Sequence, residues 1–218
     1  MFEWTDRLQA PGDWITFVLF MVFVLLAFLS QRHYLQFRLF VDIRNLKNYL
    51  NIYGKDKHLS PLHQFNFILF LISLLTFALY ANFFYQEILF YFLGKIKFYQ
   101  ILLFLFSLEV VRYLILKMIS TPTGLKNTLD QLYFKTLTVK GLVGMIGGCF
   151  LLLYHLTFPD NQIYFLISLL ILFASSFIYH LKIYIEITRK KPSYLLYLIL
   201  YLSGFKIAPW LWLYLILY

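Results

Sequence analysis

The chain reads as long apolar runs separated by short stretches in which charge collects. A helix crosses a bilayer with about 20 mostly apolar residues. Six runs meet that description: 14–30, 61–81, 98–119, 137–156, 162–183 and 193–218. The fold class this predicts is all-α. It is a polytopic membrane bundle of about six transmembrane helices, in one domain over 1–218, with one further helix on a membrane surface.

Local signals refine the boundaries. Ser60-Pro61 is a helix start, with serine as the cap and proline in the first turn. A helix from Pro61 to Leu93 would be about 50 Å long at 1.5 Å per residue. That is too long for one crossing, so a break is expected near Asn82, followed by a short surface segment. Between the first two runs, Leu35, Leu39, Ile43, Leu46, Leu50 and Tyr53 recur at spacings of four and three, a helical stripe. Gln36, Asp42, Lys47, Asn48 and Asn51 fall mostly off it, and Gly54 supplies a stop. The spacing predicts an amphipathic helix over 34–53 on the inner membrane surface. Two readings stand for it: contact with anionic lipid head groups, or a docking groove for a partner subunit.

Composition supports the membrane class. Of 218 residues, 61% are hydrophobic, 22% aromatic and 13% charged. Soluble domains are about a quarter charged. The formal net charge of +9 raises nucleic acid as a partner. The bases, however, sit in a few connections between apolar runs, which is the pattern that orients membrane helices, so no nucleic-acid partner is expected. In the six-span threading, fourteen bases fall in the connections 31–59, 117–140 and 182–191, all on one side. Only Arg7, Lys95 and Lys97 fall on the other. The rule that basic loops stay inside puts both termini on the outer side. Trp4, Trp14, Trp210 and Trp212 then share the outer interface, where aromatic belts sit. The acidic start, with Glu3, Asp6 and Asp13 against Arg7, is unlike a secretory signal, so the first helix is expected to be retained. Cys149 is the only cysteine, so neither an intrachain disulfide nor a site built on several thiolates can form.

Candidate chemistry is confined to a few positions. Glu109 and Arg112 lie three residues apart inside an apolar run, on one helix face. Two readings compete: a self-paired couple with Arg112 reaching for the head groups, or a relay or contact with a charged partner helix. Lys206 stands near the middle of the last run with no acid in its own helix, and Pro209 frees the carbonyl of Phe205. Its best intramolecular partner is Glu109, giving a polar cluster of Glu109, Arg112 and Lys206 beside the Pro209 kink. The alternative is a lysine snorkelling outward. The fourth run carries Gly141, Gly144 and Gly148, the last two spaced as in GxxxG. The fifth answers with Ala174 and Ser175, so close packing of these two helices is expected. His33, His58, His63, His155 and His180 are scattered over opposite ends. No metal, haem or other cofactor is expected. HExxH, P-loop, GxSxG and dinucleotide-turn motifs are absent from the sequence, and no enzymatic activity is expected.

The last run, LLYLILYLSGFKIAPWLWLYLILY, together with six helices and a basic first loop, resembles a family of Bacteroidota inner-membrane proteins carrying a domain of unknown function. That family's last helix has a Tyr-Leu-small stretch, then an acid, then a proline. Tyr201-Leu202-Ser203 and Pro209 match, whereas Lys206 reverses the charge at the acid position. The resemblance implies a bacterial inner membrane, with an organellar inner membrane as the alternative, and implies no activity. A chain of little besides membrane helices is expected to be an accessory or scaffold subunit, with the lipid bilayer and other membrane subunits as its partners. A small ion-coupled carrier is the alternative, and a lipid-modifying enzyme the second alternative.

Overall fold

A computed structural model describes residues 13–54, 60, 63–85, 97–123, 126–158 and 161–190. Within them lie seven α-helices: α1 Asp13–Arg32, α2 Tyr34–Val41, α3 Leu46–Tyr53, α4 Gln64–Phe84, α5 Phe98–Thr123, α6 Lys126–Thr157 and α7 Gln162–Lys190. A 3-10 turn, Ile43–Asn45, joins α2 to α3. The all-α class holds. Among the described residues, α1, α4, α6 and α7 are long and apolar enough to cross a membrane, by length and composition. The predicted sixth span, 193–218, and with it Lys206 and Pro209, lies outside the described residues.

The central pair is α4 and α6, which share the most extensive contact in the bundle. Their apolar windows are 56% and 61% buried, against 28% for α1 and 22% for α7, so the latter two form the periphery. The reason is legible in α1. Ile15, Leu19, Val22, Leu26 and Leu29 recur at four and three and are buried. Phe17, Phe20, Met21, Val24 and Phe28 form the opposite, exposed face. Side-chain contacts fix which helix ends lie together. Trp14 packs on Phe98 at 4.8 Å between centroids, and Thr16 Oγ1 bonds His155 Nε2 at 3.0 Å. At the opposite end, Tyr49 stacks on Phe134 and Lys135 pairs with Glu186. The long helices therefore alternate in direction.

Three boundaries differ from expectation. The helix expected over 34–53 breaks at Asp42. Its carboxylate accepts the Arg44 backbone N–H (3.1 Å) and the Asn45 side-chain amide (2.6 Å), a local alternative to helical bonding. That amide bond from Asn45 leads the interactions holding the Asp42 carboxyl below the usual carboxylate range. The start expected at Ser60-Pro61 falls later, at Gln64. The Ser60 carbonyl accepts from the His63 N–H (3.1 Å) and the Asn66 side-chain amide (2.9 Å), and Pro61 lies outside the described residues. α4 buries Asn82 and ends two residues beyond it, at Phe84, and the short surface segment expected next lies outside the described residues. The connection expected over 117–140 is also largely helical. α6 has 32 residues, about 48 Å, and overshoots a hydrocarbon core of about 30 Å. Its polar residues lower the mean hydropathy there, but Leu132, Tyr133, Phe134 and Leu137 are buried.

The break at Asp42 changes which residues of the 34–53 region face inward. In α2, Gln36 and Phe40 are buried, while Leu35 is 71% exposed and Leu39 is half-buried. In α3 the expected stripe faces inward: Leu46 is buried and Leu50 half-buried, beside fully buried Tyr49. Ile43 falls in the 3-10 turn. Phe40, Tyr49, Phe65 and Phe134 make an aromatic cluster that fixes α2 and α3 to the ends of α4 and α6.

Candidate functional site

The polar centre of the bundle grows from α5. Glu109 and Arg112 are one turn apart on that helix, with Arg112 Nη1 at 3.4 Å from Glu109 Oε2. The other carboxylate oxygen, Oε1, accepts from Lys140 Nζ of α6. Arg112 Nη2 donates to Thr136 Oγ1 at 3.2 Å, and Thr136 Oγ1 donates in turn to the Tyr133 carbonyl at 2.9 Å. One carboxylate thus serves two cations from two helices. The His180 ring of α7 is buried and bonds the Ser176 carbonyl through Nδ1 at 2.7 Å.

These charges are largely shielded: the side chains of Arg112, Lys140 and Glu109 are 10%, 20% and 23% exposed. An unpaired ionised group at membrane depth costs at least about 3 kcal/mol. Mutual pairing lowers that cost, and the hydroxyl of Thr136 takes a guanidinium donor that would otherwise face hydrocarbon. A cleft of about 80 Å³ reaches the pair from between α4 and α5. Phe70, Leu74, Phe77, Leu105 and Leu108 form its apolar wall beside Ser73, and Glu109 and Lys140 its polar floor.

The glycines of α6 lie along the seam with α4. A Cβ on Gly144 would fall 2.8 Å from the Ser73 Cα, and one on Gly141 would fall 3.0–3.3 Å from atoms of Leu69. Gly148 faces Val22 of α1 at 3.4 Å and Thr76 of α4 at 3.8 Å. The close approach at Gly141 and Gly144 is therefore made with the second span, while α6 also packs along α7, where a Cβ on Gly147 would fall 3.1 Å from Leu172. Ala174 and Ser175 are half-buried on α7, and the Ser175 hydroxyl bonds back to the Leu172 carbonyl at 3.0 Å. The Gly144 position needs a bare backbone because a helix backbone, not a flexible side chain, stands opposite.

A family model for a domain of unknown function, DUF4271, matches residues 15–217, nearly the whole chain. The chain belongs to the DUF4271 family. No curated protein and no solved structure matches it.

In this DUF4271 chain, one member of the charged centre escapes a reading of the sequence alone. Lys140 looks like a loop base at the head of a span, yet it sits about four turns inside α6. The signal was its position, three residues after Leu137 in a run that is already apolar. The partner expected for Glu109, Lys206, lies outside the described residues. Among the described residues, no group of three or more His, Cys, Asp or Glu side chains is placed to hold a metal ion.

Proposed function

We propose that this chain is a non-catalytic scaffold or accessory subunit of an inner-membrane complex, with six spans and the Tyr49 end in the cytoplasm. The observation that carries the reading is the closed Lys140–Glu109–Arg112–Thr136 array. Both carboxylate oxygens are committed to cations on two helices, so the charges join helices. The backbone contact at Gly144–Ser73 fills the central seam. A filled centre suits a part that holds its shape more than one that opens a path.

The orientation rests on the charge at the two ends. Arg32, Arg38, Arg44, Lys47, Lys117, Lys126, Lys135 and Lys182 gather at the Tyr49 end, whereas Lys97 stands at the Trp14 end. Basic residues favour the cytoplasmic side. α5 is read as a span because its 26 residues reach about 39 Å and its charges are paired.

A second reading, an ion-coupled carrier, draws on the cleft that reaches Glu109 and Lys140 between α4 and α5. Purification of chromosomally tagged protein in a gentle detergent separates the two. A subunit co-purifies with membrane proteins at fixed stoichiometry, in the same ratio in each of two detergents. A monodisperse monomer or homodimer in both would overturn the subunit reading.

A further inference from the structure

We propose that the α1–α2 junction is a seat for an anionic phospholipid, held by Arg32 and Arg38 with Tyr34 and Leu35 beneath it. The inference rests on α1 crossing a bilayer and is independent of the subunit reading.

The exposed face of α1 continues past its end. Phe17, Phe20, Met21, Val24 and Phe28 form an outward apolar stripe, and the next outward positions are Arg32, Tyr34, Leu35 and Arg38. Leu35 is 71% exposed, more than any residue of the α1 stripe. Successive residues of a helix turn by about 100°. On α2, Tyr34, Leu35, Arg38 and Val41 therefore share the face opposite buried Gln36 and Phe40. That face is held in place from behind by the Phe40–Tyr49–Phe65 cluster. The apolar stripe thus ends in two exposed arginines interleaved with a leucine and a tyrosine. That order suits the level where acyl chains give way to head groups, with tyrosine at the interface.

Charge selects an anionic head. Among the described residues, no carboxylate pairs with Arg32 or Arg38. The nearest acid in sequence, Asp42, has its oxygens on Arg44 N–H and Asn45. The Arg32 guanidinium lies over the Phe28 ring at 6.0 Å, which keeps it at the edge of the apolar stripe. Guanidinium groups bind phosphate bidentately. A phosphodiester supplies that anion, and its acyl chain covers Leu35 and Phe28. On α3 the outward residues, Lys47, Asn48, Asn51 and Ile52, continue no membrane stripe, so the seat is confined to the α1–α2 junction.

The test reconstitutes the full chain in phosphatidylcholine bilayers containing a small fraction of spin-labelled phosphatidylglycerol or spin-labelled phosphatidylcholine. The motionally restricted fraction of each label is then compared. Wild type should prefer the anionic label several-fold, and the preference should fall towards one in 0.5 M salt. Arg32→Gln/Arg38→Gln should abolish it at low salt, while Arg44→Gln/Lys47→Gln on the neighbouring elements should keep it. A preference that survives the first pair, or is lost equally with the second, overturns the proposal. So does a wild-type preference that salt leaves unchanged, a result that needs no variant. Displacement of the label by millimolar inorganic phosphate would point to a free-anion site and contradict a lipid seat.

Discussion

At the scale of single residues, the seam between α4 and α6 gives a contrast within one helix. Gly144→Ala sets a methyl 2.8 Å from a backbone carbon, so one helix must move. Overpacking of that kind costs about 1–3 kcal/mol. At Gly148 the new methyl meets the Val22 side chain at 3.4 Å, an ordinary contact. Alanine is the better helix former by about 1 kcal/mol, so Gly148→Ala should be neutral or mildly stabilising. Denaturant titration in mixed micelles measures both, and equal losses would show that the seam is looser than these distances. The charged centre makes a second contrast. Glu109→Gln leaves two cations without their carboxylate, whereas Lys140→Met leaves Glu109 with Arg112. Removing one partner of a buried pair costs about 3–5 kcal/mol, and that figure belongs to Glu109→Gln. Lys140→Met should cost clearly less in the same titration. The reverse order would mean that Lys140 does more than neutralise Glu109.

At the scale of elements, the α2–α3 platform depends on Tyr49, which is fully buried between Phe40, Phe65 and Phe134. Burial pushes its phenol well above the usual tyrosine range, against a weak hydrogen bond from Gln36. The sign follows. The folded state holds Tyr49 neutral, so the stability it adds is complete below the unfolded value of about 10 and is lost as pH rises beyond it. Tyr49→Phe should therefore lessen the alkaline destabilisation seen by circular dichroism between pH 9 and 11. Coincident wild-type and variant curves would disprove this. Tyr49→Ala should cost about 3–5 kcal/mol, as other large-to-small core changes do.

Much of this level was legible. The long helices announce themselves by length and apolarity, and α3 by its Leu46–Leu50 spacing. α2 was misread because leucines at regular spacing invite one continuous helix. The Asp42 carboxylate, by turning back on Arg44 and Asn45, resets the phase. Phe40 and Tyr49 sit off the leucine stripe, and only the docking surface of Phe65 and Phe134 explains why they are the residues buried. Likewise Gly144 advertises a close approach without naming the helix that makes it.

At the scale of the molecule, the central seam of the bundle is backbone against backbone at Gly144 and Ser73, and its charges pair across α5 and α6. Threading is the first consequence. With the proposed inner-membrane orientation, a cysteine introduced at Lys47, in a variant with Cys149 replaced, should react with an impermeant maleimide only after the membrane is opened. Reaction in intact spheroplasts would reverse the bundle and void the charge argument for its orientation.

The central claim, that Glu109, Arg112 and Lys140 hold structure and do not carry ions, meets its most direct test in proteoliposomes. Proton and sodium flux under an imposed potential is recorded with wild type and with Glu109→Gln. The two fluxes should be equal and no greater than the leak of empty vesicles. A wild-type flux above that leak, lost in Glu109→Gln, would contradict it.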